Sequence, residues 1–129
     1  MIRILVAEDN IGIQKIMIQV LELVNCQINI VENGKKVLEA LETASYDLIL
    51  MDLHMPEMGG LEATAYIRTK ERETGKHIPI LALTGNPLES NREKCLRVGM
   101  DDYLEKPFDV YQLYESIERL LHVKLLFKV

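Results

Sequence analysis

The sequence has no tryptophan, only two phenylalanines and five tyrosines, and just two cysteines among its 129 residues. Cys26 and Cys95 are far apart and match no metal-ligand or redox spacing, so neither a disulfide framework nor a zinc site is expected. They suit a reducing compartment as small buried hydrophobes, and a cytoplasmic location is the expectation. Positive charge is also short: 15 basic against 20 acidic side chains give a formal net charge of −5. With no stripe of lysine or arginine, a nucleic-acid surface within this chain is not expected. No apolar run approaches the roughly 20 residues that a membrane span needs. Met1-Ile2-Arg3-Ile4 runs straight into a strand-like segment without a cationic leader, so neither membrane insertion nor secretion is expected. A phosphate-cradling G-x-G-x-x-G or G-x-x-x-x-G-K-[ST] after the first strand is missing too, which argues against a nucleotide-binding enzyme.

What is present is one ordinary domain's worth of hydrophobic residues, 48% of the chain. At this size roughly two-thirds of the unfolded surface can be buried, enough for a core without metal or disulfide staples. Continuous apolar runs at Ile4-Leu5-Val6-Ala7, Leu48-Ile49-Leu50-Met51 and Ile80-Leu81-Ala82-Leu83 predict strands covered on both faces, as in a parallel sheet. Ile28-Asn29-Ile30-Val31, with a polar residue inside it, predicts an edge strand, and Tyr103-Leu104 a short fifth one. Between them lie helical stripes. Ile13, Ile16, Met17, Val20, Leu21 and Val24 form one core-facing face, and Val110, Leu113, Tyr114, Ile117, Leu120 and Leu121 another. Segments 34–44, 59–72 and 88–98 are further helices, the last stopped by Gly99. Strand then helix, five times over, with right-handed crossovers, gives a three-layer doubly wound α/β domain.

In such a sheet, ligands bind beyond the carboxyl ends of the strands. Glu8 and Asp9 follow the first strand, Asp52 ends the third, Thr84 ends the fourth, and Lys106-Pro107 follows the fifth. Taken singly these have ordinary structural roles: an acidic pair at a helix start, a loop cap, a turn residue. Taken together, they bring three carboxylates, a hydroxyl and an ammonium to one edge. Clustered carboxylates repel, so a cation must sit among them for all to stay ionised. Lys106 neutralises one charge; the all-oxygen set that remains suits Mg²⁺ or Mn²⁺. A metal with open water positions suits a phosphoryl group, and a carboxylate would be its acceptor.

Four ordered blocks carry a resemblance to the receiver domain of two-component response regulators, especially the receivers of hybrid sensor histidine kinases. They are Ile4-Leu5-Val6-Ala7-Glu8-Asp9-Asn10, then 50–60 from Leu50-Met51-Asp52 to Gly59-Gly60, then Ile80-Leu81-Ala82-Leu83-Thr84-Gly85-Asn86, and 99–108 from Gly99 to Lys106-Pro107-Phe108. The resemblance covers residues 1–122, leaving 123–129 as a tail or linker remnant. It implies a flavodoxin-like sheet of strand order 2-1-3-4-5 and a phosphorelay switch that takes its phosphoryl group from a histidine kinase or a histidine phosphotransfer domain. By the same resemblance, Asp52 is the phosphoacceptor. Asp9, Asp52 and the backbone carbonyl of His54 hold Mg²⁺ directly, and Glu8 acts through water. Lys106, Thr84 and the Gly85 amide bind the phosphoryl group. Thr84 and Tyr103 form the switch pair that signals to the surface of helix four, strand five and helix five, where a downstream protein or output domain would dock. The Lys106-Pro107 bond is expected to be cis.

This sequence departs from the commonest receiver pattern at Glu8, where Asp is frequent, at Gly85, where Ala is frequent, and at Gly59, where an Asp is common and whose absence loosens the start of the third helix. None removes a reacting atom. A degenerate receiver acting only as a docking module would lack Asp52, Asp9, Thr84 or Lys106, and all are present. His54 stands two residues after the acceptor, where its side chain can affect how water reaches an acyl phosphate. His77 and His122 are expected to face solvent. The tail Val123-Lys124-Leu125-Leu126-Phe127-Lys128-Val129 is more apolar than a free terminus, so it either extends helix five onto a partner or folds back on the domain; self-association into a homodimer, or a linker remnant, is the expectation.

Overall fold

A computed structural model describes residues 1–85 and 92–128. Five strands, β1 (Ile2–Ala7), β2 (Cys26–Val31), β3 (Leu48–Asp52), β4 (Ile80–Thr84) and β5 (Asp102–Glu105), alternate with α1 (Ile11–Glu22), α2 (Gly34–Thr43), α3 (Gly60–Thr74), α4 (Arg92–Val98) and α5 (Val110–Leu121). The strands pair in parallel in the order β2-β1-β3-β4-β5, so the flavodoxin-like topology is as expected and β2 is indeed an edge. Of the predicted helix 88–98, residues 88–91 lie outside the described residues.

Alternation along the strands explains why the central runs are apolar throughout. Ile4, Val6, Leu48, Leu50, Leu81 and Leu83 point into one core with Met17 and Leu21 of α1 and Leu113 and Ile117 of α5. Leu5, Ala7, Ile49, Met51, Ile80 and Ala82 point into a second core with Val37 of α2, Ala63 and Ile67 of α3 and Cys95 of α4. Each such fully buried aliphatic side chain contributes about 1.5–3 kcal/mol. Short polar residues start the helices: the side chains of Asn10, Asn33 and Asp109 accept from the backbone N–H groups of Ile13, Lys36 and Gln112. Both cysteines are buried and free, and burial pushes the Cys26 thiol up to about 11. His77 and His122 are exposed, as expected, although His77 Nε2 sits 2.6 Å from Asp101 Oδ1.

One member of the α1 stripe departs from expectation. Ile16 is 57% exposed, because it lies about 100° around the helix from Met17, outside the arc that meets the sheet. The tail takes the fold-back course. After His122 ends α5 in the left-handed region, Leu125 is buried, and its N–H donates to Glu118 Oε2 at 2.8 Å. Phe127 makes an antiparallel bridge with Val24 and stands edge-on to Tyr114, ring centroids 6.0 Å apart. The Asn25 N–H donates to the Leu126 carbonyl, and the Lys128 N–H to the Leu23 carbonyl. Truncation after His122 is therefore expected to lower stability by about 2 kcal/mol, mainly through the loss of buried Leu125. Urea melts of the two chains check this; identical midpoints would mean that the tail contributes nothing.

Candidate functional site

The parallel register delivers the site residues to one edge. Ala7 pairs with Met51, Asp52 with Leu83, and Thr84 with Glu105, so Glu8 and Asp9 emerge beside Asp52, and Thr84 ends beside the approach to Lys106. One carboxylate oxygen from each of Glu8, Asp9 and Asp52 lies within 4.8 Å of the others. Asp9 is exposed, whereas Glu8 and Asp52 are buried at 1% and 6% exposure.

Charge balance in this pocket rests first on Lys106. Its Nζ donates to Glu8 Oε1 at 2.9 Å and stands 3.8 Å from Asp52 Oδ1. The ammonium therefore leans on Glu8 more than on Asp52. Glu8 Oε2 accepts from the Asn10 N–H at 3.1 Å, so both oxygens of this carboxylate are engaged by protein donors. That leaves Asp9 and Asp52 as the carboxylates placed to meet a cation directly. An all-oxygen donor set of this spacing fits a hard divalent ion.

The remaining predicted residues are also at this edge. Thr84 is fully buried, and its carbonyl accepts from the Lys106 N–H at 2.6 Å. The Lys106-Pro107 bond is cis, as expected. The His54 N–H faces Asp52 Oδ1 at 3.4 Å while the residue as a whole is exposed. Gly85 is exposed, and a Cβ there would meet only Lys106 Cδ at 3.8 Å, so the departure from Ala costs nothing sterically. Gly59 is the N-cap of α3 and gives it no side-chain bond, yet the helix still runs 15 residues. Tyr103 is half-buried and its hydroxyl donates to Glu105 Oε1 at 3.0 Å; burial and this bond push the phenol up to about 12.

Sequence reasoning missed the support of the loop after β3. Glu57 has φ 67°, and its carboxylate accepts from Asn33 Nδ2 at 3.3 Å, while the Gly34 N–H donates to the Met58 carbonyl at 2.8 Å. The Asn33-Gly34 pair was the available signal, though nothing local says which loop it meets.

The profile of the response regulator receiver domain matches residues 4–118. Hybrid signal transduction histidine kinase I of Dictyostelium discoideum is 42% identical over 120 residues, 89% of this chain and 7% of that protein. Histidine kinase 2 of Arabidopsis thaliana is 35% identical over 136 residues, 91% of this chain and 12% of that protein. The chain thus spans only a small part of the length of the curated relatives that it matches. Among solved structures, the receiver domain of sensor histidine kinase PA1611 from Pseudomonas aeruginosa PAO1, with magnesium coordinated in its active-site cleft, is 37% identical. It aligns with a TM-score of 0.83 over 94% of this chain and 98% of that one. A co-crystal of the Saccharomyces cerevisiae phosphotransfer protein Ypd1 and the receiver domain of Ssk1 aligns at a TM-score of 0.85 and 29% identity, over 94% of this chain and 89% of that one. With the fold, the acidic edge and the profile match in agreement, the chain belongs to the response regulator receiver domain family.

Proposed function

We propose that this domain is the phosphoacceptor switch of a phosphorelay, and that Asp52 carries the phosphoryl group. The observation that carries this reading is the convergence of Glu8, Asp9, Asp52, Thr84 and Lys106 from four strand ends onto one edge, with Lys106 Nζ between Glu8 and Asp52. An Asp52 carboxylate oxygen attacks phosphorus, the bond from phosphorus to the donor imidazole nitrogen breaks, and the imidazole leaves as the neutral ring after taking a proton. Lys106 moves its ammonium toward the new phosphoryl oxygens, a shift that its 3.8 Å approach to Asp52 already favours. The Thr84 hydroxyl and the Gly85 amide donate to the same group. Tyr103 then leaves Glu105 and turns inward behind Thr84, and the change reaches the surface of α4, β5 and α5.

Asp9, Asp52 and the His54 carbonyl would hold Mg²⁺, with Mn²⁺ as a substitute and Glu8 acting through water. When bound, the ion neutralises charge between the acceptor and the incoming phosphoryl oxygens. The magnesium in the cleft of the Pseudomonas receiver supports a divalent ion at this edge, and the yeast complex supports a histidine phosphotransfer domain as donor; the hybrid histidine kinase relatives support a kinase as the alternative donor. The domain assists its own phosphorylation and hydrolysis and is not a turnover enzyme; residues 1–122 form the working unit, on the cytoplasmic side of the cell. Among the described residues no helix is long and apolar enough to cross a membrane.

Incubation with acetyl phosphate tests the reading. Intact mass is expected to rise by one phosphoryl group in Mg²⁺ and not in chelator, with peptide mapping placing the adduct on Asp52. An adduct elsewhere, or none in Mg²⁺, overturns it.

A further inference from the structure

The loop that follows Asp52, from Leu53 to Gly59, carries the His54 carbonyl and holds one residue in a disfavoured backbone conformation. Glu57 sits in the left-handed region at φ 67°, which costs a non-glycine residue about 1 kcal/mol or more. The loop closes on itself through Met58 N–H to the Pro56 carbonyl at 2.7 Å and Gly60 N–H to the Leu53 carbonyl at 3.1 Å. From outside the loop, the Leu53 N–H donates to the Leu83 carbonyl of β4 at 3.3 Å, and two bonds come from Asn33 and Gly34 at the start of α2. The Gly34 N–H donates to the Met58 carbonyl at 2.8 Å, an approach open only to glycine, since a Cβ there would lie 2.8 Å from that oxygen and 2.9 Å from Ala63 Cβ. Asn33, 4% exposed, divides its amide: Oδ1 accepts from the Lys36 N–H at 2.9 Å and caps α2, while Nδ2 reaches Glu57 Oε2 at 3.3 Å.

From this clamp we infer that Asn33 is a positioning residue for the metal site, holding Glu57 in its left-handed turn and thereby fixing where the His54 carbonyl stands. It touches neither the ion nor the phosphoryl group. The inference rests on the reading of His54 as a ligand, and it assigns the β2–α2 turn a part in affinity for the ion. Groups that orient metal ligands from behind govern affinity by about 10- to 100-fold.

Serine caps helices as well as asparagine but is too short to reach Glu57, so Asn33→Ser separates the two jobs without changing charge. Mg²⁺ titration followed by NMR at constant ionic strength is expected to show about tenfold weaker binding in Asn33→Ser, with a nearly unchanged melting temperature. Glu57→Ala, which removes the acceptor but leaves a side chain strained in the left-handed region, is expected to lose affinity by a similar factor. Glu57→Gln keeps an acceptor oxygen and should bind Mg²⁺ within about twofold of wild type. Equal losses in Glu57→Gln and Glu57→Ala beside a normal Asn33→Ser would show that only the charge of Glu57 matters, and the inference would fall. Asp9→Asn separates this from failure of the underlying site: if it too binds Mg²⁺ normally, the site reading fails; if it alone loses the ion, the clamp fails.

Discussion

Asp52→Asn is expected to abolish the acetyl phosphate adduct completely and to make the fold more stable in chelator, by about 1 kcal/mol. Loss of the adduct follows from chemistry: the amide is neutral and its oxygen is a poor nucleophile. The gain in stability follows from the charges. Asp52 shares a 4.8 Å cluster with Glu8 and Asp9, and the lysine is bonded to Glu8 at 2.9 Å while standing 3.8 Å from Asp52. Removing the Asp52 charge therefore relieves two repulsions and gives up one longer attraction. Mg²⁺ should stabilise wild type in urea melts and stabilise the variant much less. An adduct that persists on Asp52→Asn would move the acceptor to another carboxylate. A variant less stable than wild type in chelator would mean that the contact with Lys106 outweighs the clustered repulsion.

The parts of this fold that could be read from the sequence are those with a local signature. Runs such as Leu48 to Met51 are apolar at every position because alternate side chains feed two different cores, and that doubled burial identified the central strands. The acidic edge was legible for a related reason: once the strands are placed, Glu8, Asp9, Asp52 and Thr84 can only emerge at their carboxyl ends. Ile16 misled because apolar spacing marks a face wider than the arc that α1 presents to the sheet. The preference of Lys106 for Glu8, the bond from Asn33 to Glu57, and the seating of Leu125 beside α5 link residues whose sequence neighbours carry no trace of the partner. Such pairings depend on how two loops meet above the sheet, or on how a chain end turns after its last helix, and no periodicity encodes either.

Gly60→Ala shows how closely the acceptor strand and α3 are fitted. By helix propensity alone alanine is better by about 1 kcal/mol, and Gly60 is the first residue of α3. The local gain is outweighed by a backbone contact. A Cβ at this position would lie 2.3 Å from the Asp52 carbonyl oxygen and 2.8 Å from Met51 Cγ. The methionine end can swing aside, but the carbonyl belongs to the residue that carries the acceptor carboxylate, so either α3 or the end of β3 must shift. A net loss of about 3 kcal/mol is expected, at the upper end for overpacking. The same shift should slow phosphorylation by acetyl phosphate even at temperatures where the variant stays folded, because it displaces Asp52 relative to Asp9 and Lys106. Gly85→Ala is the matched comparison at the same sheet edge: its Cβ would meet Lys106 Cδ at 3.8 Å, so stability should stay within about 0.5 kcal/mol of wild type. Urea midpoints and phosphorylation rates of the two variants measure the difference. If Gly60→Ala matches Gly85→Ala in both, the helix is free to move off the strand, and close packing of α3 is not what holds Asp52 in place.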